Sequence, residues 1–208
     1  HRVFNHGSFE YGGRFYGPWW QTAPKEVRKQ ILISGKPTVE LDYSAQHIHI
    51  LYDQAGADYF DHYDKDDDPY TVEGFGSEDR GLMKQIFLRL TGAKNRAGLN
   101  ISMGQWVARE PEYVGYDYKK AIDAFTNKHQ LIKKFFFDTT ISRKLQKIDS
   151  SISETVISGC MDKDIIVLDV HDSFIVQNQY EADLKALMIR GFKESGVTSI
   201  PNITSNTL

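Results

Sequence analysis

The sequence predicts an α+β fold: a small antiparallel β-sheet flanked by helices, with a helical segment inserted between its strands. Three observations predict it. Val39-Glu40-Leu41-Asp42 is a mostly apolar stretch that ends in an aspartate just ahead of helical periodicity. Ile165 to Val170 is a second apolar run, and Phe174-Ile175-Val176 reads as its return strand. His171-Asp172 lies between those two, where a short hairpin must turn. A carboxylate at such a tip has no evident packing role and is well placed to bind a cation.

In chain order, Tyr11 to Trp20 is rich in glycine and aromatics without periodicity, and reads as a structured loop. Its glycines allow close backbone approach, and Arg14 among the aromatic rings could meet a phosphate or stack on a base. Packing of Trp19 and Trp20 onto the core explains the loop equally well. Pro24 to Ile31 predicts a short helix with proline in its first turn, ended by Ser34-Gly35-Lys36-Pro37. Thr38 to Asp42 is the first core strand. Ser44 is expected to cap a helix over 45–56, in which Ile48, Leu51, Tyr52 and Ala55 recur at helical spacing.

From Asp58 to Pro69 the chain is acidic and tyrosine-rich, and a short helix followed by a loop is expected. Asp64-Lys65-Asp66-Asp67-Asp68 reads as a solvated loop, since it lacks the alternating oxygen ligands and the glycine of a calcium loop. Ser77-Glu78-Asp79 is expected to cap a helix from Arg80 to about Leu90, with Met83, Ile86, Phe87 and Leu90 on its apolar face. Arg80 and Lys84 share the other face. Two stacked cations repel unless an anion lies between them; a triphosphate would fit, and so would a plain solvated surface. After a break at Thr91–Arg96, helices are expected to about Val107, from Tyr118 to Asp138, from Leu145 to Met161 and from Tyr180 to Glu194. The tail from Gly196 reads as polar and irregular.

Composition narrows the function classes. With 208 residues, 40% of them hydrophobic and 12% aromatic, the chain is globular. No apolar stretch approaches the roughly 20 residues that span a bilayer, and the opening His1-Arg2-Val3 does not resemble a signal peptide. A lone cysteine, Cys160, excludes internal disulfides and fits a reducing, cytoplasmic setting. The net charge of −3 does not announce nucleic-acid binding, but the charges are segregated. Residues 53–79 carry ten acidic side chains against Lys65, whereas 119–147 carry eight basic ones, including Lys133 and Lys134, against Asp123 and Asp138. That pattern suits a metal-rich centre beside a phosphate-binding surface, or two solvated faces.

Taken together, these motifs resemble the family A DNA polymerases, the DNA polymerase I kind, and their relatives the single-subunit phage-type RNA polymerases. Asp42-Tyr43-Ser44 is similar to the family's first catalytic motif. Arg80-x-x-x-Lys84 is similar to the fingers helix that grips the incoming nucleotide. Leu168-Asp169-Val170-His171-Asp172 resembles the third motif, Leu-x-Val-His-Asp, and Gly13-Arg14-Phe15 the Gly-Arg-Leu that precedes the first. The order matches over residues 12–195.

The resemblance implies one polymerase-like catalytic unit, with a palm of about 1–60 and 145–208 and a reduced fingers segment of about 61–144. It implies template-directed addition of nucleotides to a 3′-hydroxyl. Asp42 and Asp172 would hold two magnesium ions, with manganese as a substitute, and His171 would orient the primer terminus. Tyr43, Ser44, His47, Arg80 and Lys84 would bind the nucleotide, and Arg14, Lys133 and Lys134 the nucleic acid. The implied partners are a DNA or RNA primer–template and a dNTP or rNTP, with no membrane and with a thumb supplied by another segment or protein. The chain departs from the DNA enzymes at three places. His47 stands where they carry a glutamate that excludes the ribose 2′-hydroxyl, Ser173 follows His-Asp as in the RNA enzymes, and Thr91-Gly92 comes one residue early for the usual Tyr-Gly. A primase or RNA-polymerase-like enzyme, or a catalytically weak nucleic-acid-binding accessory protein, are the alternative expectations.

Overall fold

A computed structural model describes residues 1–5 and 7–206 of the chain, which form an α+β fold. In chain order the elements are β1 (Arg2–Phe4), β2 (Gly12–Phe15), α1 (Lys25–Arg28), β3 (Leu32–Ile33), β4 (Lys36–Tyr43), α2 (Gln46–Gln54), α3 (Arg80–Leu90), α4 (Arg96–Val107), α5 (Tyr118–Lys128), α6 (Ile141–Met161), β5 (Leu168–Val170), β6 (Ser173–Gln177), α7 (Glu181–Glu194) and β7 (Ile203–Asn206). They divide into two compact units, His1–Asp53 with Arg143–Leu208, and Gln54–Ser142.

The first unit is built on an antiparallel sheet in the order β3-β4-β6-β5. The far edge of β4 is shared, β3 pairing with its start and β7 with its end. Two-residue turns close both hairpins. Ser34-Gly35 joins β3 to β4 with φ of 51° and 74°, the pair of positive values that matches the right-handed twist of the strands. His171-Asp172 joins β5 to β6. One face of the sheet packs on α7: Leu41, Tyr43 and Phe174 are buried with Leu184, Leu187, Met188 and Phe192, and the Tyr43 and Phe192 rings meet edge-on at 4.9 Å. Helix α6 lies close against α7, because a Cβ at Gly191 would stand 3.2 Å from Ile152 and Val156.

The second unit is helical. Leu82, Met83, Ile86, Phe87 and Leu90 of α3, Leu99 and Met103 of α4, and Ala121, Ile122 and Phe125 of α5 form its core. Helix α3 follows a single 3₁₀ turn over Ser77–Asp79, where the Asp79 carboxylate accepts the Gly76 N–H at 3.0 Å.

Five sequence expectations are corrected. The glycine-rich stretch contains β2, which pairs with β1; three- and four-residue strands are too short to show alternation. Ser44 is not a helix cap, since α2 begins at Gln46 and its first carbonyl belongs to Ala45, at φ 53°. The long helix from Tyr118 breaks at His129, whose buried ring is bonded to the Pro69 carbonyl at 2.9 Å and whose backbone leaves helical ψ. The chain continues there as a 3₁₀ turn, Gln130–Phe135. Within the acidic loop, Asp67 is paired with Lys128 at 2.7 Å and Asp68 with Arg80 at 2.5 Å, so it is not simply solvated. Finally, the polar tail contains β7, which is held by the edge of β4 rather than by its own hydrophobicity.

Candidate functional site

The site is assembled at the end of β4. Asp42 lies opposite Ser173, the first residue of β6, and the Tyr43 N–H donates to the Asp172 carbonyl at 3.4 Å. The register therefore sets Asp42 one position from Asp172, which lies in the turn just ahead of β6. Both are half-buried. On the other side of β4, Thr204 of β7 donates to the Asp42 carbonyl at 3.3 Å, so the strand is paired on both edges where it carries the carboxylate.

The tip itself is strained and tethered. His171 has a φ of 61°, uncommon for a residue with a side chain. Ser153 of α6 donates to its carbonyl at 2.9 Å, and Tyr16 meets its ring edge-on at 5.2 Å. The indole of Trp20 donates to the Asp169 carbonyl at 3.0 Å, which gives the aromatic loop a supporting role. Burial pushes the His171 imidazole below its ordinary value, and the Arg14 charge acts in the same direction against Asp172, Asp149 and Asp169. The ring is thus neutral near neutral pH, with its Nδ1 buried and without a hydrogen-bond partner.

A third aspartate, Asp149 of α6, was not singled out by its sequence. Its side chain is 2% exposed and accepts from Arg14 Nε at 3.0 Å and Nη2 at 2.5 Å, while His47 Nε2 lies 2.9 Å from the same oxygen. Burial by itself would raise the Asp149 carboxyl, but His47 and Arg14 outweigh it and hold the group below the usual carboxylate value. Arg14 responds in kind. Burial lowers it, yet Asp149 and Asp172 together leave it more firmly protonated than an ordinary arginine. The signal that would have revealed Asp149 is helical spacing. It falls on the stripe Leu145, Ile152, Val156 and Cys160, all buried, where a carboxylate needs a partner.

The other carboxylates of these strands are engaged. Glu40 is buried, accepts from both Arg28 Nη2 at 2.8 Å and Nε at 3.1 Å, and takes the Ser173 hydroxyl at 2.7 Å. Asp169 accepts from Gln21 at 2.8 Å, and its burial raises its pKa. Tyr43 is corrected to a core residue: its ring is buried, its hydroxyl donates to the Met188 carbonyl at 2.7 Å, and burial pushes that hydroxyl far up. Ser44 contributes its backbone N–H to the Asn202 carbonyl at 2.8 Å.

In the helical unit, Arg80 opens α3, paired with Asp68 and lying 5.1 Å from the centre of the Tyr70 ring. Lys84 is exposed one turn later on the same face. Lys133 and Lys134 are exposed on the 3₁₀ turn after α5.

Among the described residues, no group of three or more His, Cys, Asp or Glu side chains is arranged to hold a metal ion. Among the described residues, no helix is long and apolar enough to cross a membrane.

No family model and no curated protein matches the chain. Among solved structures it is similar to the polymerase domain of Pol1 from M. smegmatis, in complex with DNA primer-template and dNTP. The TM-score is 0.57 at 11% identity, over 85% of this chain. The match spans 40% of the length of that neighbour. Likeness at this identity speaks to architecture: the chain has a polymerase-like fold.

Proposed function

We propose that the chain is a template-directed nucleotidyltransferase that adds nucleotides to a 3′-hydroxyl. The observation that supports the reading is the register at the end of β4, where Asp42 lies opposite Ser173 and so one position from Asp172, within a polymerase-like fold. Two half-buried carboxylates, one near the end of β4 and one in the turn before β6, would form an all-oxygen donor set. Magnesium suits it, because that ion keeps most of its shell as water and substrate phosphate and needs only one or two protein carboxylates. When bound there, magnesium supplies charge neutralisation at the transferring phosphate. The likeness to a domain solved in complex with DNA primer-template and dNTP supports nucleic acid and nucleotide as partners.

The chain's own residues contribute positioning and charge. Asp42 and Asp172 anchor the reacting centre on strands whose pairings fix them in place. Arg14, held through Nε and Nη2 by Asp149, keeps Nη1 for a phosphate or base edge. His171, neutral and buried at Nδ1, offers one ring to the primer terminus. Arg80 and Lys84, one turn apart on one face of α3, carry two positive charges that suit a triphosphate.

His47 favours a second reading. Its imidazole is bonded to Asp149, so the position five residues after Asp42 presents a ring nitrogen partner rather than a carboxylate. Ribonucleotide use, as in a primase or RNA polymerase, follows from a gate without that negative charge.

Extension of a labelled primer–template with Mg²⁺, giving dNTPs and rNTPs separately, tests both readings. Extension that is lost in Asp172→Asn supports catalysis, and the sugar accepted decides between the readings. Absence of extension with either nucleotide, from a folded protein supplied with a primer–template it binds, argues for an accessory binding role instead.

A further inference from the structure

We infer that Asp149 is a positioning residue that holds the Arg14 guanidinium away from Asp172, so that the Asp172 carboxylate stays available to a divalent cation. The inference rests on reading Asp42 and Asp172 as a cation-binding pair.

Arg14 is placed by its backbone as well as its side chain. Strand β2 runs hard against α6: the Ser150 hydroxyl donates to the Gly12 carbonyl at 3.2 Å, and Arg2 Nε donates to the Gly13 carbonyl at 2.8 Å. A Cβ at Gly13 would meet the Ser150 hydroxyl at 2.9 Å, so only glycine permits this approach beside the arginine. From that fixed base the guanidinium forks onto Asp149 through Nε and Nη2. Tyr16, two residues along the chain from Arg14, meets the His171 ring at 5.2 Å, so the arginine is rooted beside the hairpin tip, and Asp149 and Asp172 both act on it electrostatically.

The two carboxylates divide the available cations unequally. Asp149 takes Arg14 and His47. The Asp172 side chain makes no hydrogen bond or ion pair among the described residues. Since a buried carboxylate binds a fork of guanidinium hydrogens more strongly than a half-hydrated one does, Arg14 remains with Asp149. Without that anchor, a guanidinium rooted at the same place is left beside the carboxylate of the hairpin tip. An arginine on Asp172 would compete directly with a metal ion for its oxygens. The same turn of α6 also ties down the tip, through Ser153 and the His171 carbonyl, so anchor and tip move together.

The test is Mn²⁺ binding, followed by the spin-resonance signal of the free ion, in the absence of nucleic acid and nucleotide. Wild type, Asp172→Asn, Asp149→Asn, Arg14→Gln and the double variant Asp149→Asn/Arg14→Gln are compared, with thermal melts to establish folding. Asp149→Asn is expected to weaken Mn²⁺ about tenfold, the scale of a unit charge brought beside a carboxylate. Arg14→Gln alone is expected to bind at least as well as wild type, and the double variant to match Arg14→Gln within about twofold. Affinity unchanged in folded Asp149→Asn would overturn the inference, and so would a double variant as weak as Asp149→Asn. If Asp149→Asn does not fold, Arg14→Lys gives the same readout, because it keeps the charge and gives up the fork. Weaker Mn²⁺ in that variant supports the inference and unchanged affinity overturns it. A wild-type protein whose Mn²⁺ binding is indifferent to Asp172→Asn would instead remove the premise, the cation-binding pair itself.

Discussion

Two hairpins close opposite ends of one sheet, each with a two-residue turn, and they are built from different chemistry. At the start of β4, Ser34-Gly35 is exposed and takes positive φ at both residues, a conformation that glycine adopts without steric cost. At the other end, His171-Asp172 is half-buried, and it is a histidine that carries the positive φ of 61°. A non-glycine residue there costs roughly 1 kcal/mol or more, and surrounding contacts must impose it. They do: Ser153 holds the His171 carbonyl, Trp20 holds that of Asp169, and Tyr16 lies against the ring. The comparison teaches that the first turn is chosen by backbone conformation. The second keeps a side chain that its conformation disfavours, held there by contacts from α6 and the aromatic loop.

The comparison is broken most severely by removing the carboxylate. Asp172→Asn is expected to lower primer extension by about a thousandfold, as a lost metal ligand removes several kcal/mol of transition-state stabilisation, with little change in melting temperature. Transplanting the first turn into the second, as His171→Ser with Asp172→Gly, should leave the hairpin intact by circular dichroism while extension disappears.

Asp149→Ala comes next, at about 3 kcal/mol of destabilisation by urea unfolding, because it strands Arg14 without its buried partner. The pH dependence has a definite sign. The folded Asp149 pKa lies below the ordinary 3.8, so the unfolded chain binds the proton more readily. Its contribution is complete above 3.8 and is lost as the pH falls through the lower folded value. The stability gap between wild type and Asp149→Asn should therefore close in acid.

The smaller effects bear on the turns directly. Gly35→Ala, at φ 74°, is expected to cost about 1 kcal/mol. His171→Gly should raise stability by up to about 1 kcal/mol while impairing extension, the reverse of what a purely structural turn would give.

Much of this was legible in the sequence. The Ile165–Val176 hairpin, the β4 strand and α3 are long enough for apolar runs or helical spacing to show, and α3 spans Arg80–Leu90 as its capping signals predict. What escaped was structure specified by a distant partner. Ile203–Asn206 carries one large apolar residue and becomes a strand only because β4 offers an unpaired edge. Tyr43 reads as part of a motif, yet its hydroxyl is claimed by a carbonyl on α7. Asp149 sits among serines and looks like a surface residue until Arg14 and His47, from two other elements, converge on it.

The pairing of β7 with β4 has a kinetic consequence. Arg14 and Asp149 are separated by 135 residues, Glu40 and Ser173 by 133, and Asp42 and Thr204 by 162. Each such contact closes a long loop, an entropic cost met before any of the contacts can reinforce another. The His171-Asp172 turn, by contrast, needs only its immediate neighbours Val170 and Ser173. During folding the turn can thus form early, whereas the pairing of the strand that carries Asp42 is completed only when two remote strands, β6 and β7, arrive.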